Sequence, residues 1–242
     1  MKTIDRSLAG LLVALALLAP STARAQGGGV CCILPDNGAG SASLPPNCAV
    51  GYTGPSAIID GLPVGSAVQI AARLHSFTGV VESAGGSLGG EQSSWSATLD
   101  LNLVGTGIYL GYNRFIAMPV TGITHSAPRV PFAPTQTFAM NLFQMQGQIT
   151  LDPDFDLLRI TGGDNFGLPS PGSTTLTANG GGWEVNSFID LTHRVDFVGN
   201  PGGTFAGRSG STTHPYPRFE MCYQRPTPAL PASWGRLKAT YR

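Results

Sequence analysis

The chain has 242 residues, only 12% of them charged, and its 14 basic and 14 acidic side chains cancel to a formal net charge of zero. A nucleic-acid binder needs a concentrated basic face and a polybasic membrane anchor needs a Lys/Arg cluster; the sequence supplies neither. Its 33 glycines and 19 prolines are interleaved with aromatic and β-branched runs, which is how turn residues fall between many short strands.

The first residues read as an address. Lys2 and Arg6 form a positive n-region, Leu8 to Ala19 is an apolar run broken only by Gly10, and Ala23-Arg24-Ala25 is a small-x-small cleavage site. Residues 1–25 are expected to be a signal peptide, leaving a mature chain from near Gln26 that is secreted, periplasmic or at the cell surface. The apolar run is too short to span a bilayer, and no later run of about 18 apolar residues provides a transmembrane anchor.

Residues 26–56 carry almost no periodic apolar signal and read as a disulfide-pinned loop region. In an oxidising compartment Cys31, Cys32, Cys48 and Cys222 are expected to pair, with three connectivities open. Proximity favours Cys48 with Cys31 or Cys32, closing a loop of about 15 residues at a gain of about 3 kcal/mol in the chain-entropy model. The remaining early cysteine is then left for Cys222. Gly28-Gly29-Val30 before Cys31 departs from the Leu-small-small pattern of a lipoprotein signal, and no CxxC motif points to redox or zinc chemistry.

Residues 57–225 read as the β domain. After the turn at Asp60-Gly61-Leu62-Pro63, Trp95, Ala97, Leu99, Leu101 and Leu103 alternate with polar residues and form a core-facing row. A strand over 114–120 follows, in which Pro119 argues against a central place in a sheet. Over 136–151 the apolar phase flips, from Phe138, Met140 and Leu142 to Phe143, Met145, Ile149 and Leu151, which a bulge near Leu142-Phe143 reconciles. Asp152-Pro153-Asp154-Phe155 gives turn chemistry, with a returning strand at 156–161. Ile189, Leu191, His193, Val195 and Phe197 then alternate with Asp190, Thr192, Arg194 and Asp196 as one strong strand. Residues 199–217 read as loop, 219–223 as a last strand, and 226–242 as a proline-stiffened spacer with a short basic tail. Roughly eight to eleven strands predict an all-β, antiparallel β-sandwich or jelly-roll-like fold.

The acidic run Asp152, Asp154 and Asp156 is a candidate calcium site of hard oxygen ligands, although Leu157 and Gly163 stand where an EF-hand loop needs Gly and Glu. The same residues read as a metal-free hairpin turn. His193 is a titratable group on an apolar face, and its strand neighbours Asp190, Arg194 and Asp196 point the other way, so no relay forms within that strand. Gly207-Arg208-Ser209-Gly210-Ser211 misses the G-x-S-x-G elbow by its last residue. His75, His125 and His214 lack metal-binding spacing. Glu82, Glu91, Asp100, Glu184 and Glu220 offer no spacing that selects a glycosidase pair. Trp183, beside three glycines, is the candidate for stacking a sugar, against a core role.

The phrases Asp60-Gly61-Leu62-Pro63-x-Gly65, Gly86-Ser87-Leu88-Gly89-Gly90, Gly105-Thr106-Gly107-x-x-x-Gly111-Tyr112-Asn113-Arg114, Asp152-Pro153-Asp154-Phe155, Phe166-Gly167-Leu168-Pro169-Ser170-Pro171-Gly172 and Ser209-Gly210-Ser211-Thr212-Thr213 resemble an uncharacterised group of secreted bacterial β-rich proteins. The resemblance implies no known activity and transfers no catalytic residues. Ser233 to Arg242 resembles the short C-terminal tails of other exported bacterial proteins. The resulting expectation is a non-enzymatic structural or binding module of the cell envelope or extracellular space, with no catalytic residues, no obligatory cofactor and a cell-surface glycan or envelope protein as partner. A carbohydrate-binding module, calcium-assisted or not, is the alternative, and a secreted hydrolase with a site assembled from distant loops is the third.

Overall fold

The structure, a computed structural model, describes residues 32–221; the expected signal peptide, Cys31, Cys222 and the C-terminal tail lie outside the described residues. Thirteen strands form one antiparallel sheet. They are β1 (Ile33–Pro35), β2 (Tyr52–Thr53), β3 (Ala57–Ile59), β4 (Val68–Ala84), β5 (Glu91–Gly105), β6 (Asn113–Ser126), β7 (Thr135–Thr150), β8 (Phe155–Gly162), β9 (Pro171–Asn179), β10 (Gly182–Asp190), β11 (His193–Gly199), β12 (Ser209–His214) and β13 (Arg218–Met221). The expected all-β antiparallel class holds, with no α-helix among the described residues.

The sheet closes on itself. Four long strands, β4 to β7, pair in sequence order. β7 then forks: its first half pairs with β9 and its second half with β8. From β9 the hydrogen bonds run through β10, β13 and β2 back to β4, completing a ring. The other branch runs through β11 to β12, which lies against β3 on the far side of β4, with Asp60 N–H bonded to Thr212 Oγ1 at 2.9 Å. The ring is thinnest between β13 and β2, where one residue pair, Glu220 and Thr53, joins them.

Period-two alternation sends apolar side chains inward. Trp95, Ala97, Leu99, Leu101 and Leu103 are all buried, as are Ile189, Leu191, His193, Val195 and Phe197. The predicted bulge is present: Ile123 pairs with Gln144 but Thr124 with Leu142, leaving Phe143 as the extra residue. Pro119 does sit in a central strand, yet the β6–β7 ladder begins at Val120, so the missing N–H coincides with the ladder's end.

Other expectations need correction. The strong strand over 189–197 is two strands, because Leu191 N–H bonds Pro217 and Thr192 N–H bonds Ser170 Oγ at 3.1 Å instead of continuing a ladder. The loop over 199–217 contains β12, and the 26–56 region contributes β1 and β2. The interior is filled: its central cavity is about 20 Å³, lined by Met145, Leu191, His193 and other mostly apolar side chains, room for about one water. Inward apolar and outward polar residues are the reverse of a membrane barrel, whose outer band faces lipid. No helix among the described residues is long and apolar enough to cross a membrane.

Of the cysteine pairings left open above, Cys32 bonds Cys48. The bridge fastens the 36–50 loop to the start of β1. Asp36 caps that loop by accepting from Gly38 N–H at 2.7 Å, and Arg129, only 5% exposed, holds it from the other side through Ser41 Oγ and the Ala42 carbonyl.

Candidate functional site

The outward side chains of β4 to β7 compose a polar face. Strand register places Thr78, Ser96, Thr121 and Gln146 in one lateral row. Two shallow grooves of about 410 and about 330 Å³ lie along it and share Ser96 and Thr121. Gln144, Gln146 and Gln148 line them beside Ser96 and Thr121, uncharged amides and hydroxyls that both donate and accept, with Pro119, Ala97 and Ile123 among the apolar residues between.

A third groove, about 370 Å³, crosses the same sheet past Thr53, Arg73, Asp100, Asn102 and Phe115. Phe115 stands opposite Asn102 in register and is 62% exposed, an aromatic face open to solvent on a rigid strand. Beside it Asp100 Oδ2 accepts from Arg73 Nη2 and pairs with His75 Nε2, both at 2.8 Å. His75 Nδ1 lies 2.8 Å from Ser76 Oγ. With Nε2 protonated toward the carboxylate, Nδ1 is the acceptor for the Ser76 hydroxyl, so Ser76, His75 and Asp100 form a continuous relay. Ser76 has φ +56°, left-handed backbone that a non-glycine residue holds at a cost and that occurs where the β4–β5 register shifts.

The candidate calcium residues have another role. Arg114, at the start of β6, donates to Asp152 Oδ1 at 2.7 Å and closely contacts Asp152 Oδ2 and Asp154 Oδ2. Tyr112 OH donates to Asp154 at 3.1 Å, and Thr204 N–H donates to its other oxygen, also at 3.1 Å. Burial disfavours the Asp154 anion, but Thr204, Arg114 and Tyr112 outweigh it and hold the carboxyl below its ordinary value. Burial and the neighbouring Asp154 charge push the Tyr112 phenol up. The guanidinium occupies the place a cation would take, Asp156 does not join the clamp, and no group of three or more ligating side chains gathers around a metal position among the described residues. Behind the clamp Phe205 packs against Tyr109, Tyr112 and Phe155 with ring centroids about 5 Å apart, plugging that end of the ring.

Trp183 is 5% exposed and its Nε1–H donates to Asp36 Oδ2 at 2.9 Å. It secures the N-terminal loop and leaves no open face for a sugar; Phe115 is exposed on a strand, while Phe132, Phe166 and Tyr216 are exposed outside the strands. His193 is buried between His214 and Phe219, and burial, opposed by the Leu191 carbonyl, lowers its pKa to about 4. A second serine–histidine contact joins Ser87 Oγ to His125 Nδ1 at 2.9 Å, but the same nitrogen takes the Ser87 backbone N–H at 3.1 Å. That imidazole caps the β4–β5 turn.

Phe115 escaped the sequence reading because Phe115, Ala117 and Pro119 alternate with Ile116, Met118 and Val120, two apolar phases with nothing local to say which faces out. The relay escaped because 25 residues separate His75 from Asp100. Adjacent His75-Ser76 was the available local signal. No protein-family model matches the chain, and no curated protein or solved structure matches it either.

Proposed function

We propose that this is an exported module of the cell envelope or extracellular space that binds glycan chains on the outer face of β4 to β7. The observation that carries the reading is Phe115, a solvent-open aromatic on a rigid strand, flanked by the hydrogen-bonding side chains Asn102, Asp100 and Arg73. Sugar ligands pair one apolar face with a rim of hydroxyls, which an aromatic platform with convergent polar groups matches. The adjoining Ser, Thr and Gln grooves extend the surface for a longer chain. Export is supported by the signal-like leader and by the Cys32–Cys48 bridge. Calcium has no part in this reading, since Arg114 neutralises Asp152 and Asp154.

The test is binding of the exported protein and of Phe115→Ala to a panel of polysaccharides and envelope glycans. Saturable binding weakened at least tenfold by Phe115→Ala supports the reading; binding unchanged by that substitution removes Phe115 from it.

The Ser76–His75–Asp100 relay favours a second reading, a secreted hydrolase with Ser76 as nucleophile, His75 as general base and Asp100 orienting the imidazole. Fluorophosphonate labelling of Ser76, abolished by His75→Gln, supports it. Absence of labelling on folded protein leaves the relay as part of the binding surface.

A further inference from the structure

One end of the ring carries aliphatic side chains that its own packing does not use. Val68 pairs with Gly105 and Val104 with Asn113, so the segment before β4 and the β5–β6 turn emerge together. Ser66 Oγ accepts from Ile108 N–H at 3.1 Å and the Ala67 carbonyl from Thr106 N–H at 2.8 Å, which ties the two. The Arg114 clamp on Asp152 and Asp154 brings the β7–β8 turn to the same end. From these turns project Val64 at 106% exposure, Leu151 at 88%, Leu110 at 84% and Ile108 at 70%.

Leu151 has φ +55°, left-handed backbone that favours Gly, Asn or Asp. A leucine there is costly for the free protein both in backbone strain and in hydration. Side chains this exposed do not shade one another, so they stand as separate points and not as a flat patch. A folded protein partner would need a socket for each, whereas fluid acyl chains close around any protruding shape. The tips are also uncharged. Pro63 to Ser66 and Thr106 to Tyr112 contain no charged residue, Arg114 neutralises the aspartates behind Leu151, and exposed Asp60 and Arg208 have opposite signs. At the far end of the ring, exposed Val81 and Val130 are chain neighbours of Glu82 and Arg129, whose charges lipid would have to desolvate. The uncharged turns are held firmly as well, by the clamp and by Tyr109 packed against Phe205, so little order remains to be imposed on contact.

We propose that Val64, Ile108, Leu110 and Leu151 insert into the surface layer of a lipid bilayer and seat the protein on a membrane by this end. The protein then lies on the membrane without spanning it. Attachment comes from burial of aliphatic surface and not from headgroup charge, so salt should leave it intact. The glycan reading uses none of these four residues, and the two stand or fail separately.

The experiment is co-sedimentation of the purified protein with vesicles of phosphatidylcholine alone and of phosphatidylcholine with phosphatidylglycerol. Saturable binding to both is expected, unchanged between about 0.1 M and about 1 M salt. Leu110→Asp combined with Leu151→Asp should weaken it at least about tenfold. Both positions are exposed and the backbone at 151 suits aspartate, so this variant should unfold thermally like the wild type. Val81→Asp, at the far end, should bind vesicles as the wild type does. No binding by the wild type, equal binding by the tip variant, or an equal loss with Val81→Asp overturns the proposal. Self-association of the wild type in lipid-free sedimentation velocity, abolished in the tip variant and without vesicle binding, gives the tips to a second copy of the chain and overturns it too.

Discussion

An arginine, an aspartate and aromatic residues meet at several places in this molecule, Arg218 with Asp190 and Phe188 among them, and two of those places contrast. At the plugged end of the ring, Arg114 meets Asp152 and Asp154 with Tyr112 beside them. All four carboxylate oxygens have donors, the aspartate side chains are 14% and 13% exposed, and Phe205 covers the back. On the outer face Arg73 meets Asp100, but only one carboxylate oxygen is engaged there. It passes the interaction through His75 to an exposed serine, and Phe115 lies open alongside. Burial of the carboxylate does not separate the two places, since Asp100 is 14% exposed like Asp152. The difference lies in the arginine, 44% exposed at Arg73 against 25% at Arg114, and in the aromatic, open at Phe115 and buried at Phe205.

The largest effect that should distinguish the two regions is Arg114→Ala. Removing the cation leaves two mostly buried carboxylates facing each other, and stability should fall by roughly 3–5 kcal/mol in urea unfolding, with glycan binding by the remaining folded protein unchanged. Cys48→Ser comes next, at about 3 kcal/mol for a short closed loop, read as a lower urea midpoint for the non-reduced protein.

A comparable loss should appear with pH. The His193 pKa is about 4 in the folded protein and about 6.5 when unfolded. As pH falls, the unfolded chain takes up this proton first. The contribution is therefore fully present above about pH 6.5, declines toward pH 4 and is worth roughly 3 kcal/mol across that window. His193→Leu should remove the slope between those limits, as followed by urea midpoints. Trp183→Phe should be mildest, about 1 kcal/mol, because the Asp36 carboxylate it releases can turn to water. A loss several times larger in thermal unfolding would show that the loop depends on that indole more than this geometry implies.

What the sequence disclosed follows the reach of its signals. Alternation along Trp95 to Leu103 and Ile189 to Phe197 identified core rows, because a half-buried strand repeats every two residues. The phase flip at Leu142-Phe143 located a bulge to the residue. β12 was missed because Ser209 to His214 is polar on both faces, and β1 and β2 because two or three residues have no period. The ring closure was illegible for a related reason, since its weakest link is the lone pair Glu220 and Thr53. At the clamp, Asp152-Pro153-Asp154 announced a turn but not its cation, which lies 38 residues away in Arg114. The three glycines beside Trp183 allow exposure but a core role leads there, and Asp36, 147 residues distant, is the partner that holds it inside. Long-range partners decided which candidate residues were free to act.

The outer face of β4 to β7 is where glycan binding is decided. Phe115 is exposed, so Phe115→Ala should change stability by no more than about 0.5 kcal/mol. The decisive measurement is titration of the purified protein and this variant with the glycan that binds best in the panel, each checked by thermal unfolding. The prediction is saturable binding by the wild type and at least a tenfold weaker response from an equally stable variant. Equal binding by both, or no binding of any glycan by the folded wild type, would contradict the claim that this face is the protein's working surface.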